Sequence, residues 1–150
     1  GLSLKEENLD AFTQRFLKLA ADEIIPEQMT PQIDIDAVLD LQDINAKFMS
    51  ELKKMNPFGP DNQKPVFCSL GVKDYGTSKL VGKDLEHIKL ELIDDKSNTP
   101  IHGIAFGMHQ HNTHIKNMKP FNICYTIEEN TYNGNTSLQL MVKDIKENDI

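Results

Sequence analysis

The chain has 150 residues, 39% of them hydrophobic and 26% charged, with a net charge of −7, and this composition is typical of a globular protein. No apolar run approaches the roughly 18 residues of a membrane-spanning helix, and the first residues do not resemble a signal peptide. Cys68 and Cys124 do not form a C-x-x-C pair, so we expect reduced, buried thiols and a cytoplasmic protein.

The acidic charge is distributed unevenly along the chain. Residues 1–60 carry 6 basic and 11 acidic side chains, whereas residues 61–150 carry 10 basic and 12 acidic ones. The second part is therefore nearly neutral, and a nucleic acid responds to the local charge of one face rather than to the total. Any affinity of this part for DNA would depend on stacking and on a few lysines.

The first part of the chain combines helical and strand patterns. Four apolar residues recur at helical spacing and predict an amphipathic helix over residues 4–24. Residues 33–41 carry apolar side chains at every second position, as in a half-buried strand. A second helix is predicted over residues 43–55, again from apolar spacing. One strand cannot supply its own sheet neighbours, so residues 1–55 are predicted to form an incomplete α/β segment of helix, strand and helix.

A cluster of turn-forming residues follows, and after it the pattern is almost wholly that of strands. We place a domain boundary between residues 55 and 56. Apolar runs predict five strands after the boundary, with Gly71 at a bulge and a short helix over residues 109–117 between the third and fourth strands. This order predicts an α+β protein in which a closed five-stranded OB-fold β-barrel occupies about residues 62–146 of a 56–150 domain.

Several short motifs can be compared with those of known proteins. They are Asn56-Pro57-Phe58-Gly59-Pro60-Asp61-Asn62 with Pro65-Val66-Phe67, Val81-Gly82 with His87-Ile88-Lys89-Leu90, Ile104-Ala105-Phe106, and Asn130-Thr131-Tyr132-Asn133-Gly134 with Ser137-Leu138-Gln139-Leu140. In this order they resemble the junction and the OB-fold domain of RecJ single-strand-specific exonucleases. The opening Gly1-Leu2-Ser3-Leu4 resembles the chain that follows the glycine–histidine motif of the DHHA1 domain in that family.

The resemblance implies that residues 1–55 are the end of a DHHA1-like domain with a connecting helix. It also implies a parent protein that hydrolyses single-stranded DNA in the 5′→3′ direction with Mn²⁺ or Mg²⁺ and acts in DNA recombination and repair. The Asp-His-His motif with which the family binds its metals does not occur in this sequence. We therefore expect this fragment to contain no catalytic residue, no metal site and no cofactor, and to depend on the missing N-terminal domains for catalysis.

Candidate DNA contacts lie on the predicted second barrel strand and in two loops. The apolar residues of that strand face the core, so His87 and Lys89 face outward. An OB-fold binds ligands across strands 2 and 3, between the loops that join strands 1 and 2 and strands 4 and 5. An exposed aromatic residue there can stack on a base. We predict that single-stranded DNA contacts Lys83, His87, Lys89, Tyr132 and Asn133.

The hairpin departs from the family pattern, because Asn135 and Thr136 stand where basic residues usually follow the hairpin glycine. Because of this difference, we expect the hairpin to bind phosphate more weakly than it does in other members of the family. A simpler interpretation of the same residues is that Lys89 belongs to a solvated strand face and that Tyr132 packs on its own hairpin.

Two alternatives from other functional classes remain. The barrel or the acidic first part could dock a repair partner such as a single-strand binding protein, which the net charge of −7 favours. A self-contained enzyme is disfavoured, because no set of nucleophile and base or of metal ligands is visible. His109, His111 and His114 do not share one helix face, so we predict a polar connector there rather than a metal site.

Overall fold

The structure is a computed structural model that describes residues 1–25, 29–97, 99–132 and 134–147. It divides into two compact units, Gly1–Ile33 and Asp34–Ile150. In the first unit, a 3-10 turn at Glu6–Asn8 leads into helix α1, Leu9–Glu23. No residue of α1 is buried, and the predicted apolar stripe is exposed, with Phe16 58% and Leu19 56% accessible. The helix therefore presents an apolar face that the unit itself does not cover.

The second unit contains the predicted barrel. Its described elements are β1 Ala37–Val38, α2 Ala46–Lys53, β2 Phe67–Asp74, β3 Lys79–Val81, β4 His87–Ile93, β5 Ile101–Ala105, α3 Asn112–Lys116, β6 Phe121–Tyr132 and β7 Asn135–Glu147. Short 3-10 turns at Leu41–Asp43 and His109–His111 precede α2 and α3. No helix in the described part of the chain is both long and apolar enough to cross a membrane.

Five strands close into a ring in the order β2, β6, β7, β5, β4, because β4 also pairs with β2. The closing pairs are Lys73 opposite Ile93 and Asp74 opposite Leu92. Strands β5 and β7 are parallel, and the other neighbours in the ring are antiparallel. This connectivity, with α3 inserted between the third and fourth ring strands, confirms the predicted OB-fold. Outside the ring, β1 extends the edge of β2 and β3 pairs with β4.

Strict alternation along β4 builds the core of the barrel. Ile88, Leu90 and Leu92 are fully buried, whereas the residues between them face outward. Burying each such side chain stabilises the fold by about 1.5–3 kcal/mol. Gly71 adopts a left-handed φ of 66° at the position where the pairing of β2 with β6 shifts register, as the predicted bulge requires.

Two buried hydroxyl groups in the core form hydrogen bonds. The hydroxyl groups of Tyr125 and Ser69 lie 2.7 Å apart, and Ser69 donates a hydrogen bond to the carbonyl of Leu39 at 2.7 Å. Burial raises the pKa of Tyr125, because its anion would be poorly solvated there. The predicted buried thiols of Cys68 and Cys124 lie opposite each other on β2 and β6, and both are free.

The segment from Asp34 to the turn cluster packs with the barrel. Leu41, Ile44 and Leu52 belong to the core, and β1 pairs with β2. The compact unit accordingly begins at Asp34, although the sequence predicts a boundary between residues 55 and 56. The predicted strand over residues 33–41 shortens to β1, because a single neighbouring strand pairs with it. The origin of residues 1–55 in a DHHA1-like domain stays a prediction.

The short helix predicted over residues 109–117 is present, and two of its three histidines, His111 and His114, share a structural partner. Glu147, the last residue of β7, accepts from His111 Nδ1 at 2.8 Å and lies 3.2 Å from His114 Nδ1. Ile115 of α3 is fully buried in the core. These contacts hold the inserted helix against the end of the last strand.

Candidate nucleic-acid interface

The outward sides of β3, β4 and β5 form one continuous surface. Lys79 of β3 lies opposite Lys89 of β4, which in turn lies opposite Ile104 of β5. At the next outward position along β4, the His87 ring packs against the ring of Phe106, which directly follows β5. We call this surface the β4 face and define it by Lys79, His87, Lys89, Ile104 and Phe106, together with Lys83 in the loop that joins β3 to β4.

The lysines of the β4 face are not neutralised by carboxylates. Lys79 and Lys89 are exposed, as is Lys83 in the loop between β3 and β4. Among the described residues, none of the three forms an ion pair, whereas six other lysines of the same unit do. Those six pairs are Lys53 with Glu129, Lys54 with Glu51, Lys64 with Glu128, Lys73 with Asp95, Lys96 with Asp40 and Lys116 with Asp74. The unpaired ammonium groups are therefore available to a negatively charged ligand.

Two carboxylates border the β4 face, and both are engaged. Glu91 accepts a hydrogen bond from the Thr77 hydroxyl, and its other oxygen lies 3.5 Å from His102 Nδ1. Glu86 accepts from the backbone N–H of Asp84 at 2.9 Å. Its own backbone N–H and that of Asp84 lower the pKa of Glu86. Both carboxylates therefore have neighbouring donors other than the lysines.

An exposed aromatic ring completes the surface. Phe106 is 55% accessible, and its ring meets the His87 ring edge to face, with centroids 4.9 Å apart and planes at 79°. The backbone N–H of Gly107 donates to His87 Nδ1 at 3.0 Å. Gly107 has a φ of 69°, a left-handed conformation that favours glycine. A large apolar ring that is held in place and accessible can stack on a nucleobase.

The structure brings together three of the five residues predicted to contact DNA. Lys89 and His87 lie on the outward side of β4, and Lys83 lies in the adjoining loop. Tyr132 ends β6, with its backbone opposite Asn135, but its side chain lies outside the described residues, as does the whole of Asn133. Their roles as DNA contacts stay predictions.

Sequence reasoning missed three members of the β4 face, Lys79, Ile104 and Phe106. The apolar run from Ile101 to Phe106 shows no polar side, so it does not indicate by itself that its last residue points outward. A signal existed, because Phe106 has the same parity as His102, which is exposed. Lys79 could not be found in this way, because its position depends on how β3 pairs with β4.

Metal binding finds no support in the geometry. In the part of the chain that the structure describes, no group of three or more His, Cys, Asp or Glu side chains is arranged to hold a metal ion. Cys68 and Cys124 are buried, and burial raises the pKa of both thiols. Neither thiol is therefore poised as a thiolate ligand or nucleophile.

Comparison with known proteins relates the chain to a protein family. Residues 35–144 match the sequence profile of the RecJ OB domain. The chain is 26% identical over 146 residues to the single-stranded-DNA-specific exonuclease RecJ of Haemophilus influenzae, covering 97% of this chain and 25% of that protein. It is also 26% identical to the Salmonella typhimurium protein of the same name over 145 residues, covering 97% of this chain and 24% of that protein.

The chain thus spans about a quarter of the length of these curated relatives. Among solved structures, it is similar to RecJ from Thermus thermophilus in complex with Mn²⁺, with a TM-score of 0.75 and 17% identity. That comparison covers 100% of this chain and 21% of the other. The structure in complex with Mg²⁺ gives a TM-score of 0.73 at 16% identity, over 99% of this chain and 21% of the other. At this level of identity the similarity establishes the fold.

Proposed function

The chain belongs to the RecJ OB domain family, and from that premise we propose that it is the non-catalytic C-terminal region of a RecJ-like 5′→3′ single-stranded-DNA-specific exonuclease, whose barrel binds single-stranded DNA on the β4 face. The observation that carries the proposal is the set of unpaired lysines beside an exposed aromatic ring on the ligand side of an OB-fold. The parent protein would act in DNA recombination and repair in the cytoplasm.

The two kinds of side chain on this face serve different parts of a DNA strand. Lys79, Lys83 and Lys89 would contact phosphates and release counterions, which makes the affinity sensitive to salt. Phe106 would stack on a base, which contributes about 1–3 kcal/mol with little dependence on sequence. Tyr132 and Asn133 on the β6–β7 hairpin would extend the same strand-binding path.

The chain's own residues do not fit the metal ions of the related structures. The sequence contains no Asp-His-His motif, and the described residues contain no group of three metal ligands. We therefore place the metal-dependent hydrolysis in another part of the parent protein and assign no catalytic step to this chain. The barrel would hold the substrate strand while that other part cleaves it.

A direct test is fluorescence anisotropy of a labelled oligothymidine titrated with the chain at several salt concentrations. We expect weak binding. The logarithm of the association constant should fall linearly with the logarithm of the salt concentration, with a slope of about −0.7 for each phosphate contact. A duplex of the same length should bind more weakly, because its bases cannot stack on Phe106. No binding to the single strand at low salt would overturn the proposal.

A second candidate function has its own structural support. Phe12 and Phe16 of α1 stack with centroids 5.8 Å apart on the exposed apolar side of the helix. This side could dock a repair partner such as a single-strand binding protein, which the acidic first part also allows. Calorimetric titration of such a protein into the chain, and into its Phe12→Ala/Phe16→Ala variant, would decide. Equal affinities for both forms would exclude α1 as the docking site.

A further inference from the structure

His87 has both ring nitrogens occupied, and the two partners define its protonation state. The backbone N–H of Gly107 donates to Nδ1 at 3.0 Å, so Nδ1 must carry a lone pair. Nε2 lies 3.2 Å from the Glu86 carboxylate, which can only accept, so Nε2 carries the proton. A neutral ring with its proton on Nε2 satisfies both partners, whereas a doubly protonated ring would oppose the Gly107 donor.

The same hydrogen bond controls the aromatic side chain beside it. Gly107 directly follows Phe106, so its N–H belongs to the peptide that joins the two residues. The His87 ring also contacts the Phe106 ring edge to face at 4.9 Å. His87 therefore fixes both the backbone after Phe106 and one side of its ring. The rest of Phe106 stays accessible.

This inference rests on the proposed function: we infer that His87 is a positioning residue that holds Phe106 ready to stack on a base, rather than a phosphate contact. The ring acts in its neutral form. Single-stranded DNA binding should accordingly weaken when His87 is protonated. A histidine that contacts phosphate would behave in the opposite way, because its positive charge would add to the attraction.

Other charged groups near His87 also influence how DNA binding depends on pH. Glu86 precedes it on the chain, and His109, in the turn after β5, interacts electrostatically with Glu86. On the strand paired with β4, Val81 lies opposite His87 and carries no charge. Lys89 lies at the next outward position of β4. Protonation of other histidines adds positive charge and strengthens binding in every variant, so variants must be compared at the same pH.

The test compares wild type with His87→Asn and His87→Gln at about pH 8 and about pH 5.5, on either side of the usual histidine range. The Asn carbonyl can replace Nδ1 as the acceptor for Gly107 and does not titrate, whereas the Gln carbonyl mimics the Nε2 position. At the higher pH, His87→Asn should bind an oligothymidine somewhat more weakly than wild type, because it keeps an acceptor for Gly107 but loses the ring that contacts Phe106. From the higher to the lower pH, the affinity of wild type relative to His87→Asn should fall about fivefold, which corresponds to losing about 1 kcal/mol of stacking.

His87→Gln should bind about fivefold more weakly than His87→Asn at both pH values, for the same stacking reason. A wild type whose affinity relative to His87→Asn rises from the higher to the lower pH would overturn the inference, because that is the result for a phosphate contact. Equal affinities of all three forms at both pH values would overturn it as well. Thermal unfolding of each form verifies that the barrel is intact.

A reporter separates this inference from the proposed function itself. The chain contains no tryptophan, so Phe106→Trp introduces a single tryptophan on the β4 face, and its emission can be excited separately from that of the three tyrosines. Without DNA, its emission should change between the two pH values, and adding His87→Asn should abolish the change. If the change is seen but no form binds DNA, the proposed function fails while the contact between residues 87 and 106 stands. If DNA binds and the emission does not respond to His87, the positioning role is wrong.

Discussion

The β4 face and the side of the barrel formed by α2 and β6 both carry lysines, but they differ in whether those lysines form ion pairs. Lys53 and Lys64 each lie 2.7 Å from a carboxylate of β6, Glu129 and Glu128 respectively. Lys79 and Lys89 form no ion pair with any described residue. A net charge of −7 therefore does not describe the surface that a DNA strand would meet. Ion pairing distinguishes Lys53 and Lys64 from Lys79 and Lys89.

The largest expected effect is on the free energy of unfolding, and it distinguishes the buried side of β4 from its outward side. Ile88→Ala removes a fully buried side chain and should lower the free energy of unfolding by about 2–5 kcal/mol. Lys89→Ala, at the neighbouring exposed position, should change it by less than about 0.5 kcal/mol. Urea denaturation measures both. Similar losses for the two variants would mean that the inward and outward assignments on β4 are wrong.

The next effect concerns aromatic stacking. Phe106→Ala should weaken single-stranded DNA binding by about 1–3 kcal/mol and leave its salt slope unchanged, because no charge is removed. The matched control is Phe16→Ala on α1, since Phe16 is 58% accessible and Phe106 is 55% accessible. Anisotropy titrations should show no loss for the control. A loss of the same size in both variants would point to a general role of exposed apolar surface.

Asp94, a carboxylate that accepts hydrogen bonds from the backbone, should affect stability and not DNA binding. Partial burial raises the pKa of Asp94, but hydrogen bonds from the backbone N–H groups of Leu41, Lys96 and Ser97 outweigh it and hold that pKa below its usual range. A lowered folded-state pKa contributes stability above the unfolded value of about 3.9, and this stability is lost as the pH falls through the folded value. The Asp94 contacts should therefore stabilise the barrel at neutral pH and fail in acid.

Asp94→Asn should lower the free energy of unfolding by about 1–2 kcal/mol at neutral pH, because it loses one acceptor oxygen. This difference from wild type should shrink as the pH falls below about 4 and through the lowered folded-state pKa, where Asp94 itself becomes protonated. The control is Asp95→Asn, whose exposed ion pair with Lys73 should contribute at most about 1 kcal/mol. A difference that persists unchanged in acid would refute the role given to the carboxylate.

These contrasts also show what the sequence can predict. Alternation in β4 identifies Ile88, Leu90 and Leu92 as core, because period-two burial is a local property of a strand. The order of the five strands and the inserted helix along the chain predicts the OB-fold, because each of these elements has its own local pattern. Ion pairing could not be predicted, since Lys64 and Glu128 are far apart in the chain and meet through packing of the turn cluster on β6. Phe106 was missed because its environment includes His87, which only the pairing of β4 with β5 places beside it.

The most direct measurement compares the salt dependence of single-stranded DNA binding for two double variants. Lys79→Gln/Lys89→Gln removes two charges from the β4 face, and Lys53→Gln/Lys64→Gln removes two paired charges from the other side, so the net charge changes equally. At about 0.7 for each phosphate contact, the first variant should flatten the salt slope by about 1.4 and weaken binding, while the second keeps the wild-type slope. Equal slopes for the two variants would contradict the assignment of DNA to the β4 face.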